Sequence, residues 1–158
     1  MTETVTERLD AELLYEITCD LGEVQNIGKT QYGTRGIIPV SGGHFEGPKL
    51  RGRILPNCAG EWGMTRPDGV GRLDVRMTLE TEDGALIYLS YNGVLAGEPE
   101  AMARAMRGEA EPDEVYFRTT PNFETGDERY LWLNRVVAIG YGRMLPGFKV
   151  QYRVYHML

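Results

Sequence analysis

The sequence predicts an all-β protein: a single antiparallel up-and-down barrel of about eight or nine strands with one short helix. Glycine and proline occupy 20 and 8 of the 158 positions, above their usual combined share of about 12%. This excess disfavours helices and supplies tight turns. Short apolar segments alternate with those turns, so neighbouring strands should pair as an antiparallel meander. About eight such strands close into a barrel with room for one small ligand, and a two-sheet sandwich is the alternative.

The first half of the chain predicts short strands separated by glycine- or proline-containing turns. Residues 1–10 are polar and predict a disordered tail before one domain at 11–158. Strands are expected at residues 13–19, 34–40, 50–55 and 61–64, with turns at 41–48, 56–60 and 66–69.

The clearest strand period lies at residues 73–80, where apolar and polar side chains alternate strictly. A tight turn at 82–84 then returns the chain as a second strand over 85–94. The apolar side chains of the first strand should face a core or, alternatively, form a dimer interface; they are Leu73, Val75, Met77 and Leu79.

The only helix is predicted near residues 98–107, with Pro99 in its first turn and Gly108 after its last. Acidic residues at its start and arginines at its end complement the helix dipole. Three more strands are expected at residues 114–120, 129–141 and 148–156, with breaks at Pro121, Gly126 and 146–147.

Charge and composition exclude several classes of protein. The chain has 17 basic and 23 acidic residues, a net charge of −6, whereas nucleic-acid-binding proteins usually carry a basic excess. Two cysteines are too few for a disulfide framework, and no apolar segment suits a signal peptide or a membrane span. We therefore expect a cytoplasmic protein that binds neither nucleic acid nor membrane. Two distant histidines and no standard catalytic signature predict no metal and no cofactor.

Three strand faces carry candidate binding residues if they point into the barrel. Arginine forks could hold an anion there, an amide could donate and accept hydrogen bonds, and aromatic rings could form the walls. The alternative is that these faces meet water, as charged faces of antiparallel strands normally do. The faces consist of Asp74, Arg76 and Glu80; Tyr116, Arg118 and Thr120; and Tyr130, Trp132 and Asn134.

Two carboxylates stand beside aromatic residues, Glu46 after Phe45 and Glu61 before Trp62. A carboxyl held against apolar surface has a raised pKa and can serve as a general acid or base near neutral pH. Alternatively, both are surface carboxylates next to core aromatics. The other predicted substrate-binding residues are His44, Trp62 and Tyr91.

Four segments of the chain resemble a family called domain of unknown function 3237, also known as uncharacterised protein family 0311. These segments are residues 42–52, 66–69, 73–88 and 116–134. The resemblance implies a small antiparallel barrel of the calycin or allene-oxide-cyclase type. Related barrels bind hydrophobic ligands or catalyse cofactor-free cyclisation, isomerisation or elimination. The family often has an acidic residue before a tryptophan, and here Glu61 occupies that position.

These observations predict a cofactor-independent lyase, isomerase or cyclase acting on a partly aromatic or carbonyl-bearing substrate. Glu61 or Glu46 would move a proton, and Arg76 and Arg118 would bind a carboxylate or enolate oxygen. One alternative is a ligand carrier with the same cavity and no turnover. Another is a protein that acts through self-association, and we expect a homodimer or larger homo-oligomer in any case.

Overall fold

A computed structural model describes residues 7–158, so residues 1–6 of the predicted tail lie outside the described part. Within residues 7–158 the chain forms eleven strands, one α-helix and one 3-10 helix. The elements are β1 (Ala11–Leu21), β2 (Gln25–Thr30), β3 (Gly33–Glu46), β4 (Arg51–Ile54), β5 (Gly60–Glu61), β6 (Met64–Thr65), β7 (Gly71–Thr81), β8 (Leu86–Ala96), α1 (Pro99–Met106), β9 (Tyr116–Glu124), the 3-10 helix (Glu128–Arg135), β10 (Ala138–Leu145) and β11 (Lys149–Met157).

The sheet is a closed antiparallel barrel with eight strand positions. Strands β7 to β11 follow one another around the wall, and β11 then pairs with β1. Strand β1 also pairs with β3, while the short strands β4, β5 and β6 share the position between β3 and β7. Strand β2 extends outward from β3 alone. The predicted up-and-down barrel is therefore confirmed, and the sandwich alternative is wrong.

The hairpin of β7 and β8 is confirmed, and its apolar face points into the barrel. Leu73, Val75, Met77 and Leu79 are all buried, while Arg76 between them is exposed. Most of the interior of a small closed barrel is filled by inward-pointing side chains. The alternative in which this apolar face forms a dimer interface is therefore wrong.

Residues 41–46 continue β3 and do not form the predicted glycine-rich turn. Gly43 has φ 142°, and a Cβ added there would overlap the carbonyl oxygen of Thr18 on the neighbouring strand β1. The missing side chain lets the two strands approach closely at a bend. The glycines of this segment therefore shape a strand.

The strand predicted over residues 129–141 is wrong for its first half, which is a 3-10 helix. Tyr130 and Leu133 are buried and lie three residues apart, which matches the repeat of a 3-10 turn. Asp127 caps the helix by accepting a hydrogen bond from the amide of Arg129 (3.0 Å). The predicted break at Pro121 is also wrong, because this residue lies within β9 opposite Tyr91.

The two ends of the barrel differ in how they are filled. The 3-10 helix packs over one end, where Tyr15 stacks edge-on against Phe45 and Phe123, with ring centroids 5.8 and 6.1 Å apart. Helix α1 lies at the other end, where strands β7 and β9 begin. None of the helices in residues 7–158 has the length and apolar character to cross a bilayer.

Candidate functional site

The α1 end of the barrel contains a cavity of about 390 Å³, here called the inner cavity. It is lined mainly by apolar side chains, which include Phe117, Phe148 and four methionines. The methionines are Met64, Met102, Met106 and Met144. Its polar side chains include Glu61, Tyr152, Arg35 and Arg72. A concave, mostly apolar site with a few polar groups is typical of a small-molecule pocket.

Glu61 is the carboxyl group of the inner cavity. It lies on β5, opposite Ile38 of β3 and Val75 of β7, and its side chain is largely enclosed. Burial, and secondarily the nearby carboxylate of Asp74, raises the pKa of Glu61 to about 7. Both the ionised and the protonated carboxyl are therefore populated near neutral pH.

The carboxyl group of Glu61 packs against the backbone of Gly63. A Cβ added at Gly63 would overlap Glu61 Oε1, so the carboxyl lies against bare backbone. The guanidinium of Arg35 donates to the carbonyl oxygens of Trp62 and, at 3.4 Å, of Gly63. Because Arg35 binds these carbonyls, it fixes the segment without forming an ion pair with Glu61.

Two buried tyrosines lie near Glu61. Tyr152 lines the inner cavity, and Tyr91 packs edge-on against it with ring centroids 5.3 Å apart. Burial raises the pKa of both phenols well above its usual value, and the Glu61 charge adds to this effect. The phenols therefore remain protonated and can donate hydrogen bonds.

The two arginines predicted to grip an anion inside the barrel lie on its outer face. Arg76 is 3.4 Å from the carboxylate of Asp74, and its guanidinium lies 5.7 Å from the ring centroid of Trp62. Arg118 lies over the exposed ring of Tyr116, 5.1 Å from its centroid. The prediction that both arginines line one cavity is wrong, because the apolar residues that alternate with them fill the interior.

Glu46 and His44 are also outside the inner cavity. Both are exposed on β3, and Glu46 forms an ion pair with Arg51 at 3.8 Å. Of the predicted site residues, only Glu61 and Tyr91 therefore point inward near the cavity.

Trp132 and Asn134 belong to the 3-10 helix at the opposite end of the barrel. The Trp132 ring lies 5.5 Å from the ammonium of Lys49. Asn134 accepts from the amide of Thr125 and donates to its carbonyl oxygen, both at 2.9 Å. These contacts anchor the 3-10 helix, far from the inner cavity.

Sequence reasoning missed Tyr152, Arg35 and the methionines of α1. Alternation along β11 places Tyr152 inward and could have found it, and the four-residue spacing of Met102 and Met106 marks one helix face. No sequence pattern marks Arg35, because its role depends on the carbonyl oxygens of the link between β5 and β6. Among the described residues, no group of three or more His, Cys, Asp or Glu side chains is placed to hold a metal ion.

Comparison of the sequence with known proteins identifies a matching family model and several relatives. A family model described as "Protein of unknown function (DUF3237)" matches residues 10–157. A UPF0311 protein of Bradyrhizobium diazoefficiens is 38% identical over 130 residues, which are 82% of this chain and 84% of that protein. A UPF0311 protein of Rhodopseudomonas palustris is 35% identical over 137 residues, which are 86% and 89% of the two chains.

Solved structures are similar over nearly the whole chain. A conserved protein of unknown function from Rhodopseudomonas palustris matches with TM-score 0.88 and 32% identity, covering 97% of this chain and 100% of that one. A β-barrel-like protein from Acinetobacter baumannii matches with TM-score 0.81 and 36% identity, covering 99% of this chain and 100% of that one. An enzyme from Penicillium herquei matches with TM-score 0.71 and 20% identity, covering 99% of this chain and 100% of that one. This likeness shows the fold alone.

Proposed function

The chain belongs to the DUF3237 family, and we propose that it is an enzyme that uses Glu61 to move a proton on a small apolar substrate. The observation that supports this is a carboxyl group with a pKa of about 7 at the wall of an apolar cavity. A general acid or base works best when its pKa lies near the working pH. The reaction class is that of a lyase, isomerase or cyclase that acts by proton transfer, which requires no net redox change.

In the proposed mechanism the ionised carboxylate of Glu61 removes a proton from a carbon next to a carbonyl group. The electron pair of that C–H bond forms a carbon–carbon double bond, and the π pair of the carbonyl group moves to its oxygen, which gives an enolate. The protonated Glu61 then returns the proton to the same carbon or to another atom of the substrate. The buried phenol of Tyr152 lines the same cavity, stays protonated, and would hydrogen-bond to the enolate oxygen.

The lining of the inner cavity supports a substrate with an uncharged, ring-bearing body. Aliphatic, aromatic and methionine side chains together form most of the wall, and methionine adapts to ligands of irregular shape. A charged group next to Glu61 would have to give up water in an apolar surrounding. We therefore place the reactive carbonyl, and no carboxylate, beside Glu61.

Exchange of α-protons in heavy water tests the proposal with a simple ring ketone, tetralone. The wild-type protein should speed exchange of the α-protons for deuterium, followed by proton NMR, and the rate should rise with pH through about 7 as Glu61 ionises. Glu61→Gln should abolish the enhancement. Glu46→Gln is the matched control, because Glu46 is an exposed carboxyl outside the cavity. Exchange that is equally fast with Glu61→Gln contradicts the proposed role of Glu61.

The second candidate function is a carrier that binds the same class of ligand and leaves it unchanged. The methionine-rich wall favours this candidate as much as it favours catalysis. Tetralone binding measured by calorimetry, without any deuterium incorporation above the buffer rate, would select the carrier. Absence of both binding and exchange would count against both functions for this ligand class.

A further inference from the structure

A large cavity lies outside the barrel, against the outer face of β9, β10 and β11. It measures about 670 Å³ and is here called the outer groove. Leu9 and Ala11 contribute to its lining from the chain's start, and Pro112 and Asp113 from the loop after α1. Its size is within the range of pockets that bind drug-sized molecules.

The barrel wall separates the outer groove from the inner cavity. Arg118, Arg143 and Arg153 line the groove, while their alternating neighbours Phe117 and Tyr152 line the inner cavity. Successive side chains of a strand point to opposite faces of the sheet. A ligand in the groove would therefore be out of contact with Glu61.

The outer groove contains three arginines, and a carboxylate of the described part pairs with one of them. Arg153 is paired with Glu16 at 3.0 Å. Arg143 donates only to the neutral side chain of Gln151 (2.8 Å), and Arg118 only to the carbonyl oxygen of Phe117 (3.0 Å). Among residues 7–158, neither of these two guanidinium groups forms an ion pair. Asp113 at the rim is the one carboxylate among the lining residues.

Aromatic and aliphatic side chains lie beside these guanidinium groups. Tyr141 is half exposed at the floor, and the Arg118 guanidinium lies 3.9 Å from its ring centroid. Tyr155 packs edge-on against Tyr141 at 5.8 Å, and Ile139 extends the apolar surface. Exposed apolar side chains next to arginines fit a molecule that has both an apolar body and an acidic group.

We propose that the outer groove is a binding site for an organic anion with an aromatic or aliphatic body. Its carboxylate, sulfonate or phosphate group binds the guanidinium groups of Arg118 and Arg143, and its body lies on Tyr141 and Ile139. The protein as a whole carries a net charge of −6. A locally positive groove therefore attracts an anion that the rest of the surface repels.

Fluorescence titration with anilinonaphthalene sulfonate tests the site, because this probe combines a ring body with a sulfonate. Replacing both guanidinium groups, Arg118→Gln with Arg143→Gln, should raise the Kd about tenfold or more, since each loses a charge-assisted hydrogen bond. The matched control is Arg51→Gln with Arg53→Gln, which also removes two outer arginines but leaves the groove intact. Binding by the control should equal that of the wild type.

Three outcomes would overturn the proposal. An unchanged Kd in the variant at 118 and 143 would place the probe elsewhere, including in the inner cavity. An equal loss of affinity in the control pair would reduce the effect to overall charge. Absence of probe binding in a protein that sediments as a dimer, with binding gained on dissociation, would mean that a second copy covers the groove. Circular dichroism of each variant establishes that it is folded.

Discussion

Glu61→Gln should remove a specific pH dependence from the stability of the fold. The pKa of Glu61 is about 7 in the folded protein against 4.5 for an unperturbed side chain. Below pH about 4.5 the carboxyl is protonated in both the folded and the unfolded chain and contributes no difference. As the pH rises from about 4.5 to about 7, the unfolded chain ionises first, so the folded protein loses stability across that window.

The size of the loss follows from the pKa difference. Each unit corresponds to about 1.4 kcal/mol, so a rise from 4.5 to about 7 amounts to about 3 kcal/mol. A glutamine keeps the shape of the side chain and does not titrate. The wild-type free energy of unfolding, minus that of Glu61→Gln, should therefore fall by about 3 kcal/mol between pH 4.5 and pH 8.

Urea unfolding of both proteins at several pH values between those limits measures this difference. Subtracting the two free energies of unfolding cancels the contributions of the other titrating groups, which the two proteins share. Glu46→Gln removes an exposed carboxyl and controls for the loss of a charge. A difference between the wild type and Glu61→Gln that stays constant over the whole range would refute the argument that burial controls Glu61.

Three further predictions follow from close contacts. Gly63→Ala should cost about 2 kcal/mol in urea unfolding and lower tetralone affinity, because the new methyl group would overlap the backbone carbonyl oxygen of Arg72 and the Glu61 carboxyl; an unchanged protein would contradict these contacts. Tyr15→Phe should raise the free energy of unfolding by about 1 kcal/mol, since the buried hydroxyl has no hydrogen-bond partner among residues 7–158; a loss of stability would reveal a partner. Asn134→Ala should cost about 1 kcal/mol by removing its bonds to Thr125, with tetralone affinity unchanged by calorimetry.

The fold was predictable because strand alternation and turn chemistry are local properties of the sequence. The hairpin around Gly84 and the helix at residues 99–106 needed no long-range information. The 3-10 helix at 128–135 was not predictable in this way. Its residues include tyrosine, tryptophan and leucine, which also suit a strand, and burial of Tyr130 and Leu133 against the barrel end selects the helix.

The candidate site was less predictable because it depends on which strand face points inward. Burial raises the pKa of Glu61, as expected for a carboxyl held against apolar surface, and its catalytic role stays a prediction. Arg76 and Arg118 can line the cavity only if the polar faces of their strands point inward, but this barrel fills its interior with the apolar residues between them. Self-association and a cytoplasmic location stay predictions.

Pairing of β1 with both β3 and β11 has a consequence for synthesis on the ribosome. β1 can pair with β3 early, but its partner on β11 lies far downstream: Arg153 follows its ion-pair partner Glu16 by 137 residues. At about 5–20 residues per second, the second edge of β1 waits on the order of ten seconds for its partner. An unpaired edge can recruit strands of other chains. Slower translation should therefore lower the yield of soluble protein more than a change in the stability of the finished barrel would suggest.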